Sequence, residues 1–183
     1  MPSNTEQPVN LSARWNDDEA KVRATILPPG VTPPAAVTAQ RGIDFLRAWL
    51  EGRLPPPPLG HTLDFLLIEA QVGRVVFQGR PSAAHFNPLA TVHGGWMSSL
   101  LDSALGCTVH SVLPAGKAYT TAELKVNFVR AVTPLVGLLR AEGRIIHQGS
   151  RMATADARLV GPDGKLYGHA STTCFVFDAV PAS

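Results

Sequence analysis

Apolar positions return along this chain in rhythms that change from one segment to the next. From Thr38, residues Ile43, Leu46, Trp49 and Leu50 recur at helical spacing, and Gly52 with Pro55 to Pro58 bars continuation. This predicts an amphipathic helix over 38–52, whose Trp and Leu stripe fits a ligand lid or, the commoner use, packing on a sheet. Leu63 to Ala70 and Arg74 to Gly79 are rich in β-branched and apolar residues, and Gln71-Val72-Gly73 between them predicts a hairpin. The stretch that begins at His93-Gly94-Gly95 and runs through Trp96, Met97, Leu100, Leu101 and Asp102 to about Val112 is apolar on nearly all sides. Such a helix belongs in a core. Tyr119 to Val129, Val136 to His147, Arg151 to Val160 and Lys165 to Phe177 then read as strands, the last two joined by the turn Gly161-Pro162-Asp163-Gly164.

Two strands, one buried helix, then four strands with tight connections leave no room for crossover helices, which excludes a doubly wound parallel sheet. The expected class is α+β, with an antiparallel sheet of five to six strands wrapped around one long buried helix. Ahead of it, residues 1–37 read as a Pro-rich arm and not a second domain, because Pro28-Pro29-Gly30 and Pro33-Pro34 forbid a long helix or a central strand there. Within the arm, Asn16-Asp17-Asp18-Glu19 places a cap and acidic residues before Ala20-Lys21-Val22-Arg23 and predicts one short helix. Residues 38–183 are then a single domain that includes the first amphipathic helix.

Composition narrows the function without naming it. A chain of 183 residues with 45% hydrophobic content can bury a substantial core. Its 16 basic and 14 acidic residues are dispersed, with no basic run to follow a phosphate backbone, so nucleic acid is not an expected partner. The start, Met1 to Gln7, lacks a basic segment followed by an apolar one, and no apolar stretch is long enough to span a bilayer; a cytoplasmic protein without membrane contact is expected. Cys107 and Cys174, without a Cys-x-x-Cys partner, read as free buried thiols. His61, His85, His93, His110, His147 and His169 are scattered without ligand spacing, so no metal is expected.

Candidate chemistry gathers at the buried helix. Its N-terminus carries unpaired N–H groups and a partial positive charge, and Gly94 and Gly95 let a ligand oxygen approach them. Asp102, in the middle of an apolar helix with no basic residue between Trp96 and His110, bears a desolvation cost unless it is paired, neutral or working. Two readings follow: a carboxylate hydrogen-bonded to Ser98 or Ser99 one turn back, or a catalytic base or nucleophile. Gly149-Ser150-Arg151 reads equally as a contact for phosphate groups or as a plain turn.

Together, Asn87-Pro88-Leu89-Ala90-Thr91-Val92-His93-Gly94-Gly95, Leu100-Leu101-Asp102 and Thr120-Thr121-Ala122-Glu123-Leu124-Lys125-Val126-Asn127-Phe128-Val129-Arg130 resemble hotdog-fold acyl-CoA thioesterases of the phenylacetate-degradation (PaaI-like) branch. The resemblance covers roughly residues 60–177. It implies hydrolysis of an acyl-CoA to the free acid and coenzyme A with no metal or other cofactor, while the apolar side chains of Trp96, Met97 and Phe128 suit an aryl or medium-chain acyl group. Carried over by position, Asn87 places the carbonyl or water, His93 and the Gly94 N–H belong to the oxyanion turn, and Asp102 is general base or nucleophile. Thr121 assists the attacking water, with Thr120 beside it leaving the register open by one. Gly95, Trp96, Met97, Phe128 and Arg151 are expected on the substrate. Ala90 stands where Gly is common and Ala131 where Pro is usual, and both bear on loop geometry.

Two rivals remain at this level: a hydratase or dehydratase of the same fold, which needs an Asp and a His together, and a non-enzymatic acyl-CoA-binding module, which has no need of Asp102. Helix geometry adds an expectation about assembly. Gly94 and Asp102 are eight residues apart, so along one helix axis they lie roughly 12 Å from each other and cannot both address one carbonyl. If both act, a second copy must complete each site. This is a homodimer with shared active sites, and the resemblance adds a further pairing of dimers into a homotetramer.

Overall fold

Small residues decide where the long helix lies. On β4 (Leu139–Gln148) a Cβ at Gly143 would meet Thr108 Oγ1 at 2.3 Å and the Ala104 carbonyl at 2.8 Å, and β5 (Met152–Val160) turns Ala153, Ala155 and Ala157 inward. Helix α5 (Gly94–Ser111) therefore sits directly on the sheet, burying Leu100, Leu101, Leu105 and Val109 against those alanines. The computed structural model describes residues 10–179. Its remaining strands are β1 (Phe65–Gln71), β2 (Arg74–Gly79), β3 (Lys117–Phe128) and β6 (Leu166–Asp178), and the six form one sheet in the order β1-β2-β4-β5-β6-β3. Every neighbouring pair is antiparallel, and α5 touches all six strands, so the sheet curls around it as expected for a hotdog fold.

Element boundaries differ from the sequence expectation where backbone contacts intervene. The amphipathic helix expected over 38–52 is α3 (Gly42–Leu50), and Thr38 belongs instead to a separate short helix before it, α2 (Pro34–Thr38). Gly42 separates them because its N–H donates to the Leu113 carbonyl at 3.0 Å and its Cα lies so close to α5 that a Cβ would fall 1.8 Å from the His110 carbonyl. Gly52 ends α3 at φ +65°, the left-handed conformation that glycine adopts without strain. The β4 strand starts at Leu139 and not Val136, since Val136 and Gly137 are held in a turn.

The larger correction is in the arm. Its helix α1 spans Leu11–Thr25, capped by Asn10 Oδ1 accepting from the Ala13 N–H at 3.2 Å, so the expected cap Asn16 lies inside the helix. Expectations for Met1 to Val9 and Val180 to Ser183 lie outside the described residues. Because side chains alternate along strands, Gln78 on β2 and Arg140 on β4, directly paired, point away from α5, and α1 covers them. Arg140 donates to Gln78 Oε1 at 2.7 Å and to Asp18 Oδ2 at 2.8 Å and stacks over Trp15 at 4.6 Å. Gln78 donates in turn to the Trp15 carbonyl and to Glu19 Oε2. A polar latch thus holds α1 on the outer face of the sheet. The following residues then pass to the inner side, where α3 and α4 (Pro58–Thr62) also lie.

Candidate active site

The curl brings the first and last strands of the sheet to a common cavity of about 330 Å³. Phe65 and Leu67 of β1 and Phe77 of β2 wall it on one side, and Tyr119 and Thr121 of β3 on the other. Its floor is one face of α5, made by Asp102, Ser103, Gly106 and Cys107. These residues recur at i, i+1, i+4 and i+5, so the helix is not apolar all round: a small and polar face opens on the cavity. Ile26, Leu27 and Pro29 of the arm, with Leu50 and Leu59, close the remaining side.

Asp102 is half-buried there. Thr121 Oγ1 lies 3.5 Å from its Oδ1, and this is its one side-chain hydrogen-bond partner among the described residues. Burial pushes the Asp102 carboxyl above the usual carboxylate range, against a weaker lowering by Thr121. The serines do not satisfy it. Ser98, Ser99 and Ser103 donate to the carbonyls of Gly94, Gly95 and Ser99 one turn back, each at 2.9 Å, which removes the reading of Asp102 as a Ser-bonded structural carboxylate. Both Thr120 and Thr121 are exposed, but of the two it is Thr121 that lines the cavity and meets Asp102. Cys107, expected in the core, also lines the cavity, and burial pushes its thiol up to about 12, so it is no nucleophile near neutrality; Cys174 is buried in the core.

The remaining candidates form a second cluster at the N-terminus of α5. Asn87 Oδ1 accepts from the Leu89 N–H at 2.9 Å and the Thr91 N–H at 3.3 Å, and its amide donates to Thr91 Oγ1 at 2.9 Å, so this side chain shapes the loop. The loop passes through Ala90 at φ +56°, a left-handed conformation that favours glycine. His93 caps α5 with Nδ1 accepting from the Gly95 N–H at 2.8 Å, which leaves Gly94 to present the first N–H of the helix. The ring of Phe128 lies over Gly94, where a Cβ would fall 2.9 Å from it, and remains 54% exposed.

Asn87, His93, Gly94 and Phe128 are not among the residues lining the Asp102 cavity. Trp96 and Met97 are elsewhere again, buried in the core, with Trp96 Nε1 donating to the Leu63 carbonyl at 2.7 Å. Arg151 is exposed at the β4–β5 turn. Among the described residues no three His, Cys, Asp or Glu side chains group as metal ligands, and no helix is long and apolar enough to cross a membrane. The sequence reading missed Ser103, Gly106, Tyr119 and the arm. For the α5 members the spacing from Asp102 was the available signal; for the arm there was none.

Residues 89–167 match the Thioesterase superfamily. A curated protein of Halobacterium salinarum named as an esterase is 35% identical over 71 residues, which is 39% of this chain and 46% of that protein. The chain thus spans about half the length of that curated relative. Among solved structures, a thioesterase described as phenylacetic acid degradation-related, from Ralstonia eutropha, superposes with a TM-score of 0.65 and 27% identity over 71% of this chain and 98% of its own. The PaaI protein of Escherichia coli superposes with a TM-score of 0.61 at 22% identity, over 67% of this chain and 86% of its own, and supports the fold.

Proposed function

Starting from a chain that carries a Thioesterase superfamily domain on a PaaI-like hotdog fold, we propose that it hydrolyses an aryl- or medium-chain acyl-CoA to the free acid and coenzyme A. The observation that carries this is a carboxylate, Asp102, without a cationic partner among the described residues, facing an apolar cavity beside Thr121. In the proposed reaction Asp102 takes a proton from water oriented by Thr121, and the water oxygen bonds to the thioester carbon. The carbon–sulfur bond then breaks, and the proton leaves on the CoA thiol. Negative charge building on the carbonyl oxygen is met by the Gly94 N–H at the positive end of α5, a donor of the kind worth roughly 3 kcal/mol at the transition state. No metal or other cofactor enters this scheme. His93, on which a hydratase would depend, does not line the cavity and has Nδ1 committed to Gly95.

One chain does not supply both groups to one carbonyl, because Gly94 and Asp102 begin and continue the same straight helix about 12 Å apart. We propose that a second copy completes each site in a two-fold dimer. Strand β3 supports this, since it is 12 residues long, lies at the sheet margin and offers an unpaired edge. Release of free thiol from a panel of acyl-CoAs tests the activity, and its absence across the panel refutes it. Subunit mixing tests the sharing: Asp102→Asn and Asn87→Ala proteins, each nearly inactive alone, should regain activity when verified heterodimers form, because one of the two sites then carries neither change. Single turnover in 18O-labelled water tests the role of Asp102: a general base places label in the product acid, whereas direct attack places it first in the Asp102 carboxylate.

A further inference from the structure

The residues that close the cavity opposite Asp102 lie outside the matched span 89–167. Ile26, Leu27 and Pro29 come from the arm, and Pro56, Pro57 and Leu59 from the segment around α4. One backbone hydrogen bond and one close approach tie the two segments together: the Gly30 N–H donates to the Pro56 carbonyl at 2.9 Å, and a Cβ at Gly30 would touch the Pro55 ring at 3.2 Å. The wall is therefore a prolyl-stiffened pair of strands of chain, with little freedom to yield. Leu27 and Leu59 line the cavity while remaining 39% and 52% exposed, which puts both at its rim. The charged residue nearby, Arg23, is already engaged, by Glu19 at 2.8 Å and Asp64 at 2.6 Å. Of the two basic side chains on this wall, Arg23 is paired and His61 stands on α4 beside the leucine rim, while an apolar chain would cover two exposed leucines.

We infer that the arm, through Leu27 and with Leu59 facing it from α4, sets which acyl group the site accepts. This rests on the thioesterase reading above for its chemistry and goes beyond it by assigning specificity to a segment that carries no catalytic group. The acyl tail runs from Asp102 and Thr121 towards the arm, and the distance to Leu27 limits the length of an uncharged tail. The latch of Asp18, Glu19, Gln78 and Arg140 on the far face of the sheet acts at a distance, holding α1 so that the residues after it stay in place.

The test compares acetyl-, hexanoyl-, decanoyl- and phenylacetyl-CoA on the full chain and on Leu27→Trp and Leu27→Ala, with Leu59→Trp as the same intrusion from the other side should Leu27→Trp melt early. Filling the rim should lower kcat/KM for hexanoyl- and phenylacetyl-CoA relative to acetyl-CoA by about tenfold or more, the scale on which a pocket discriminates by one or two carbon atoms. Leu27→Ala should shift preference towards decanoyl-CoA. Calorimetric titration with hexanoate and phenylacetate, which needs no turnover, separates the two readings. Hydrolysis with unchanged chain-length selectivity in all variants overturns the role of the arm and leaves the activity standing. Acid binding weakened in the tryptophan variants, with no hydrolysis by the unaltered protein, overturns the activity and upholds the wall. Acid binding unaffected by any variant, with no hydrolysis, overturns both.

Discussion

The two sides of the cavity are built on opposite principles. On one, α5 and β3 bring Asp102 and Thr121 to the surface of an apolar core, and the helix beneath them is fixed by buried leucines against glycine and alanine. On the other, the arm contributes aliphatic and prolyl surface and the already paired Arg23, and what fixes it is a set of charged contacts on the far face of the sheet together with the Gly30–Pro56 backbone bond. The difference teaches that reactivity and shape are held separately here. The carboxylate side rests on close packing, whereas the wall opposite it depends in part on contacts that single substitutions can remove.

The sharpest way to break this comparison is Asp102→Asn. Activity should fall by about 10²–10⁴-fold, the contribution of a positioned base. Stability should move the other way. A carboxyl whose folded pKa is raised contributes stability that is present below its unfolded pKa and lost as pH rises through the folded one. Removing the charge therefore helps at neutral pH and not in acid. Each kcal/mol so recovered would raise Tm by about 2–4 °C at this chain length, and melting curves at pH 7 and pH 4 check the crossover. In the unaltered protein, activity should be lost on acidification at a pH above the ordinary carboxylate value.

Glu19→Ala addresses the other side. Burial alone would raise the Glu19 carboxyl, but hydrogen bonds from Arg23 and Gln78 and the charges of Arg23 and Arg80 hold it below its usual value. Its loss leaves Gln78 Nε2 with only the Trp15 carbonyl and should cost about 1–3 kcal/mol in denaturant unfolding. It should also raise KM for hexanoyl-CoA more than it lowers kcat. Because the folded pKa is depressed, this contribution is present above the unfolded value near 4.5 and fades as pH falls through the folded one. An unchanged KM would show that the latch and the wall are unconnected.

Thr121→Val keeps the shape of β3 and removes the hydroxyl, and should reduce kcat by roughly tenfold, less than the loss of Asp102, since it acts on the water through one hydrogen bond. The smallest effect belongs to Ala90→Gly. Relief of the left-handed strain, at about 1–2 kcal/mol, is offset by roughly 0.4–1 kcal/mol of chain entropy, so a small gain in stability should appear with activity unchanged. A loss of stability would place the strain elsewhere in the loop.

Much of the fold was legible because it follows from local periodicity. The alternating runs, the Val72-Gly73 turn and the apolar helix from Gly94 each carry their own signature, and Asp102 stood out because a carboxylate is anomalous in such a helix. The helix α1 was misplaced for the converse reason: of its residues only Trp15 and Glu19 are buried, and it is held by ion pairs to residues distant in sequence, which no spacing rule reveals. Residue types and their order determined the elements, the class of fold and the suspect carboxylate. Only the tertiary structure decided that Thr121 and not Thr120 meets Asp102, that Trp96 and Met97 belong to the core, and that the arm walls the cavity. Those outcomes depend on how a curled sheet brings its two margins together, and that is set by long-range packing of small residues under α5 and not by any neighbouring stretch of chain.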